Sequence, residues 1–267
     1  MKGFSHGLEI EAVDFDRREI VLPEGCSFNQ KEVTLVNSCG RAVNSRKDST
    51  FFIGGEINTK PTTTYREQLK VAEKCLKLLK EQSATINYRC NLHAHIGLAP
   101  ELRTLKNLKK IQDYAFKHFD VILRATMGEG QFTRNPDMPA ETWHHYKERM
   151  VPEWKHQHLM NSTSLKDFQM GFFKNKAGTH APLTFMRQGI NTHSFFKTFT
   201  IEGRIFWATL DLDEIENIMM FMELFVEQAL TDQIPVKEYI HSFSFPKELP
   251  FSIDLEKGFQ KTKVQKP

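Results

Sequence analysis

The stretch Asn91-Leu92-His93-Ala94-His95-Ile96-Gly97-Leu98 alternates polar and apolar residues with the two-residue period of a half-buried β-strand. Extended over residues 86 to 98, the pattern sends Ile86, Tyr88, Cys90, Leu92, Ala94, Ile96 and Leu98 to one side. Asn87, Arg89, Asn91, His93 and His95 go to the other. The first side requires a core. The second is built of the groups that line metal and phosphate sites, although the same groups also occur on ordinary surface.

The covering layer for such a sheet is legible in three amphipathic stretches. Thr64-Tyr65-Arg66-Glu67 has the form of a capping box, and the helix it starts carries Leu69, Ala72, Leu76 and Leu79 inward, with Lys70, Lys74, Lys77 and Lys80 outside. A second helix is predicted from about residue 101 to 126, with Leu108, Ile111, Ala115, Phe119 and Ile122 facing the core. A third follows a cap at Asp211 or Asp213 and buries Ile215, Ile218, Met219, Met222 and Phe225, its methionines 219, 220 and 222 acting as gap-filling core. Further strands are expected at residues 4 to 14, 33 to 36, 51 to 58, from 182 onward and at 198 to 208. Sheet on one side and helices on the other make an α+β fold.

At 40% hydrophobic residues the chain has ample material for a core. Residues 1 to 245 are read as one catalytic domain, with a loop or lid insertion at about 127 to 180. Residues 246 to 267, which hold Lys257, Lys261, Lys263 and Lys266, are read as a basic, partly disordered tail. A formal charge of +3 is too balanced to indicate nucleic acid, and only the lysine-rich tail leaves such a contact open. Cys26, Cys39, Cys75 and Cys90 lack the spacing of a zinc site or a disulfide framework, so reduced thiols are expected. Without a signal peptide or an apolar run of roughly 18 residues, the expected location is the cytoplasm. His144, His145, His156 and His158 have no carboxylate or cysteine in ligand register and read as surface or packing residues.

Three strands share a feature that surface strands rarely repeat, which is charged pairs at i and i+2 opposed by an apolar face. They are Glu9-Ile10-Glu11, the histidine strand, and Glu202-Gly203-Arg204, in which Thr198, Thr200, Glu202, Arg204 and Phe206 should lie opposite Phe199, Ile201, Ile205 and Trp207. Same-face neighbours on a strand are about 6.6 Å apart, a spacing that holds cations between or beside them. Glu56, after Gly54-Gly55, adds another carboxylate. Glu9, Glu11, Glu56 and Glu202 would repel unless cations sat among them, and such oxygen-rich ligation suits Mg2+ or Mn2+. Arg204, Arg89, Arg187 and Lys60 supply positive charge for phosphate oxygens or a developing oxyanion.

Glu9-x-Glu11, Gly55-Glu56, Leu92-His93-Ala94-His95-Ile96-Gly97, Arg187 with Asn191, and Thr200-Ile201-Glu202-x-Arg204 with Thr209-Leu210 occur in the order found in the amidoligases. These are relatives of glutamine synthetase and glutamate-cysteine ligase in the carboxylate-amine ligase superfamily. The resemblance covers roughly residues 3 to 231. It implies a curved antiparallel sheet of the glutamine synthetase type with flanking helices, whose concave face holds ATP and substrate. It also implies Glu9, Glu11, Glu56, His93 and Glu202 as metal ligands, and His95 near the nucleotide phosphates with Arg89, Lys60 and Asn191. Arg204 stabilises the transferred phosphoryl group, with Glu202 and Arg187 beside it in the reaction. Gly203 stands where an aromatic residue is usual and Asn91 where glycine is common, departures that bear on the acid or amine pocket.

The expected reaction is ATP-dependent joining of a carboxylate to an amine through an acyl phosphate, giving an amide, peptide or isopeptide bond, with both substrates unidentified. The absence of a Walker-type loop fits metal-mediated nucleotide binding on a sheet. Two alternatives stay open: a guanidino-kinase-like phosphotransferase, and a non-catalytic nucleotide- or nucleic-acid-binding protein that keeps the fold.

Overall fold

Strand β1 (Ser5–Val13) follows the alternation the sequence sets, burying Leu8, Ile10 and Ala12 while Glu9 and Glu11 stay partly open. It pairs on one side with β3 (Gly54–Asn58), whose outer neighbour is β2 (Ser27–Phe28), and on the other with β4 (Asn91–Gly97). Beyond β4 lie β6 (Thr200–Trp207) and then β5 (Ile190–Asn191) at the edge. All pairings are antiparallel, giving one open sheet in the order β2-β3-β1-β4-β6-β5. This computed structural model describes residues 3–15, 19–29, 54–86, 90–127, 150–181, 188–231 and 234–245.

Helices cover one face. Helix α1 (Tyr65–Glu81) starts at Thr64, whose hydroxyl accepts from the Glu67 N–H. The Glu67 carboxylate accepts from the Thr63 hydroxyl at 2.9 Å and reaches back to the Thr64 backbone N–H, as the expected box requires. The predicted second helix is divided. Pro100–Leu102 form a 3-10 turn, and α2 (Leu105–Met127) begins afresh behind Thr104, which accepts from the Asn107 N–H. Pro100 opens the turn at its first position, where its missing N–H costs nothing, and the fresh cap at Thr104 restarts the helix. Two short helices follow, α3 (Glu153–Met160) and α4 (Leu165–Gly171), then the single turn α5 (Phe195–Thr198). Helix α6 (Leu212–Thr231) is started by Asp211, which accepts from the N–H groups of Asp213 and Glu214, and α7 (Val236–Tyr239) closes the described chain.

Leu8, Ile10, Leu92, Ala94, Ile96 and Ile201 from the sheet meet Leu76, Ile111, Ile122, Phe221 and Phe225 from the helices in one core. Met219 and Met222 are buried there as expected, but Met220 is 40% exposed and contributes little, because it points off the buried stripe of α6. Charged and titratable groups also enter this apolar layer: His6 Nε2 lies 2.9 Å from Glu223 Oε2, and the Lys155 ammonium donates to the Phe172 carbonyl at 2.8 Å. Cys26, Cys75 and Cys90 are free thiols. The expected strand at 33 to 36, residues 128 to 149 of the expected insertion with His144 and His145, Cys39 and the 246 to 267 tail lie outside the described residues.

Strand β6 departs from simple alternation. Leu92 faces Phe206 and Ala94 faces Gly203, so two residues of β4 oppose three of β6 and the strand carries a bulge. Phe206 is thereby turned to the helix side, where its ring lies 6.1 Å from Phe221 and 6.0 Å from Phe245, although strict parity would place it beside Arg204. Among the described residues no helix is long and apolar enough to cross a membrane.

Candidate active site

The register of the sheet assembles the polar face. Directly opposed residues in an antiparallel pair project from the same side. Glu11 opposes Glu56, Glu9 opposes His93, His95 opposes Glu202, and Glu202 in turn opposes Asn191. Five strands therefore deliver four carboxylates, two imidazoles and an amide to one patch, on the side away from α1 and α6. The groups are sunk into it, Glu56 being 5%, Glu202 4% and His93 1% exposed.

Glu9 is the hub. Its Oε2 lies 2.6 Å from His93 Nδ1 and its Oε1 3.2 Å from His95 Nε2. Burial opposes charge on Glu9, but the two histidines outweigh it and hold the carboxyl well below the usual carboxylate range. Burial also opposes charge on Glu202, and His95, His93 and Arg204 likewise prevail and lower its pKa. For His95 the same balance runs the other way: burial disfavours the imidazolium, but Glu9 and Glu202 beside it raise the pKa.

Each carboxylate is also held from behind. Asn191 donates to Glu202 Oε2 at 2.7 Å, and the Arg204 guanidinium pairs with the other oxygen. Glu11 accepts the Asn91 backbone N–H at 2.7 Å, and Glu56 accepts from the Asn29 amide at 3.1 Å. His95 Nδ1 meets the Thr200 hydroxyl at 3.1 Å. Thr200 shares the Glu202 face by parity and was legible as a neighbour. Asn29 lies in a stretch with no periodic signal, so its place beside Glu56 comes only from the β2–β3 pairing.

Two trios of possible metal ligands emerge, each with its ligand atoms within 4.8 Å of one another: Glu9 with His95 and Glu202, and Glu9 with Glu56 and His93. Glu9 belongs to both. Nε2 of His93 is buried without a well-directed hydrogen bond, and Nε2 of His95 faces the Glu9 carboxylate at 3.2 Å, so both nitrogens stand among the oxygens that would share a cation. The donor set of carboxylate oxygens and imidazole nitrogens, its members supported by amides and a backbone N–H, has the chemistry of a divalent-cation site. Glu11 stands just outside the trios, 4.0 Å from His93 Nε2.

The remaining expected residues are less central. Lys60 is exposed, its stem lying over Gly25, and no contact joins it to the carboxylates. Arg89 and Arg187 lie outside the described residues. Gly203 does not bear on a substrate pocket, as the family pattern implied: it faces the helices, and a Cβ there would come within 2.6 Å of Met222 Sδ and 2.7 Å of the Phe206 ring. Asn91 does reach the site, through Glu11. His156 stacks on Phe116 at 3.9 Å and meets Asp113, so it is a packing residue as expected.

No curated protein and no solved structure matches the chain. A family model does match, over residues 34–226, and its description is putative amidoligase enzyme. With a match over most of its length, and with Glu56, His93, His95, Glu202 and Arg204 of the polar face inside it, this chain belongs to the amidoligase enzyme family.

Proposed function

We propose that the protein is an ATP- and Mg2+- (or Mn2+-) dependent ligase that joins a carboxylate to an amine, with the reaction on the polar face of the sheet. The observation that carries the reading is the pair of ligand trios sharing Glu9. Within the amidoligase family a nearby oxygen-rich pair of cation sites has a clear use, since a carboxylate has no leaving group and must first be activated. Bound cations would neutralise phosphate oxygens and align them. Glu9, Glu56 and His93 would hold one and Glu9, His95 and Glu202 the other. A role for His95 solely at the nucleotide, as the family resemblance implied, fits less well than this shared one.

The chain's own residues have definite tasks in this scheme. Asn191 and Arg204 fix both oxygens of Glu202, so that carboxylate is positioned before any substrate arrives. Arg204, 13% exposed at its side chain, also borders His93 and offers a guanidinium for a transferring phosphoryl group. Asn29 and the Asn91 N–H orient Glu56 and Glu11. On a sheet of the glutamine synthetase type, this face is where two substrates and a nucleotide would meet.

The test is ATP turnover in the presence of pooled acids and amines, with Mg2+. Glu9→Gln and Glu202→Gln should each lower turnover by about 1000-fold, on the scale of a lost preorganised electrostatic group. Turnover unchanged in both variants would sink the assignment. A phosphorylated product that is stable and forms without any amine would replace it with the phosphotransferase reading.

A further inference from the structure

On the helix side of the sheet, away from the carboxylates, α2 and the edge strand β5 line a partly open cavity of about 170 Å3. Its walls are mostly apolar, from Phe116, Phe119, Val151 and Ile190. Two glutamines interrupt them. Gln188 is 1% exposed, and neither its carbonyl nor its amide nitrogen has a hydrogen-bond partner among the described residues. Gln112 is fully buried; its carbonyl accepts from the Thr192 hydroxyl at 2.6 Å, but its amide nitrogen is unpartnered. The backbone holding Gln188 is fixed tightly, because Gly189 lies so close to Phe119 and Ile205 that no Cβ would fit, and its carbonyl accepts the Arg204 N–H at 2.7 Å.

Orphaned buried amide groups are costly, on the order of 1–3 kcal/mol each, and native folds rarely leave three in one place without an occupant. The cavity has room for one: apolar cavities of about 150 Å3 accept benzene. Its polar side decides the ligand chemistry. Gln188 presents a donor and an acceptor side by side, which a carboxamide matches in pairs, its N–H donating to the Gln188 carbonyl and its own carbonyl accepting from the Gln188 NH2. The Gln112 NH2 is a second donor for that carbonyl. A carboxylate would leave the Gln188 carbonyl unpaired and would face Asp120, the charged residue at the lining. A plain hydrocarbon would satisfy neither.

We propose that this cavity is a binding site for a small uncharged ligand with a carboxamide head and an apolar body. It is separate from the polar face, and the proposal does not depend on the ligase reading.

Benzamide is the probe, with benzoate and toluene as matched controls, each titrated into the full chain and followed by NMR. Benzamide should bind at millimolar concentration or tighter, shifting the Gln188 and Gln112 side-chain amide signals, with benzoate and toluene at least tenfold weaker. Gln188→Met should weaken benzamide at least tenfold and bring toluene level with it. Should that variant fail to fold, as judged by circular dichroism, Gln112→Leu and the order of the three probes on the wild-type chain decide instead. The proposal is overturned if benzamide leaves the glutamine signals unmoved, if benzoate binds as well, or if a folded Gln188→Met binds benzamide unchanged. It is equally overturned if a crystal soaked in benzamide shows only ordered water on Gln188.

Discussion

The two faces of the sheet treat charge in opposite ways. On the helix side, Leu8, Ile10, Leu92, Ala94, Ile96 and Ile201 form a continuous apolar surface that few charged groups enter, such as Lys155 on the Phe172 carbonyl and His6 with Glu223. On the other side Glu56, His93 and Glu202 are almost as deeply set and Glu9 and His95 are half-buried, yet every carboxylate meets a histidine, an arginine, an amide or a backbone N–H. Burial costs both faces desolvation. The helix side minimises that cost by excluding charge, and the polar side offsets it by pairing. A face that bears this cost repeatedly within a few ångströms fits the proposed chemistry better than a stabilising role.

The contrast predicts that substitutions on the two faces have separable effects. Largest is the loss of reaction on the polar face: Glu9→Gln and Glu202→Gln should cut ATP turnover by about 1000-fold with a much smaller loss of stability, since each substitution weakens only the pairing with His93, His95 or Arg204. A midpoint that collapses together with turnover would make these carboxylates structural. Next is the core. Phe221→Ala removes a ring that touches Phe206, Phe225, Tyr239, Phe243 and Phe245, and should cost about 3–5 kcal/mol in urea unfolding.

Gly203→Ala should cost about 1–3 kcal/mol by overpacking against Met222 and Phe206, and Met222→Ala in the same chain should recover part of it. A Gly203→Ala protein that is normally stable but altered in turnover would return Gly203 to the active face. The smallest effect concerns Lys155, whose pKa burial pushes down to about 8. Because the folded chain disfavours its charged form, stability should rise as the pH climbs from about 8 toward the ordinary lysine pKa of about 10.4, and stay level below 8. Thermal unfolding across that window in wild type and Lys155→Met checks it, the variant lacking the rise.

Parity along a single strand was legible to the residue. Glu9 with Glu11, and His93 with His95, project as alternation requires, because a strand's side-chain period is fixed by backbone geometry alone. The helix start at Thr64 was legible for the same local reason: a hydroxyl satisfies an orphan N–H within its own turn. The β6 bulge was not. Nothing in Thr200 to Trp207 marks the extra residue, which exists only relative to β4, and it moved Phe206 to the opposite face. Lys60, placed near the phosphates from its charge, is exposed over Gly25 because side-chain reach depends on neighbours distant in sequence.

The sequence by itself determined which residues alternate, where helices begin, that sheet and helices form separate layers, and which family the motifs resemble. Those are properties of one segment at a time, or of the order of segments. Only the tertiary structure decided that Glu9 stands between two histidines and belongs to both ligand trios, that Asn29 holds Glu56, and that Gln188 faces a cavity with an unpaired amide. Strand register and helix packing bring together groups up to 193 residues apart, from Glu9 to Glu202, and no local pattern encodes the distance between them.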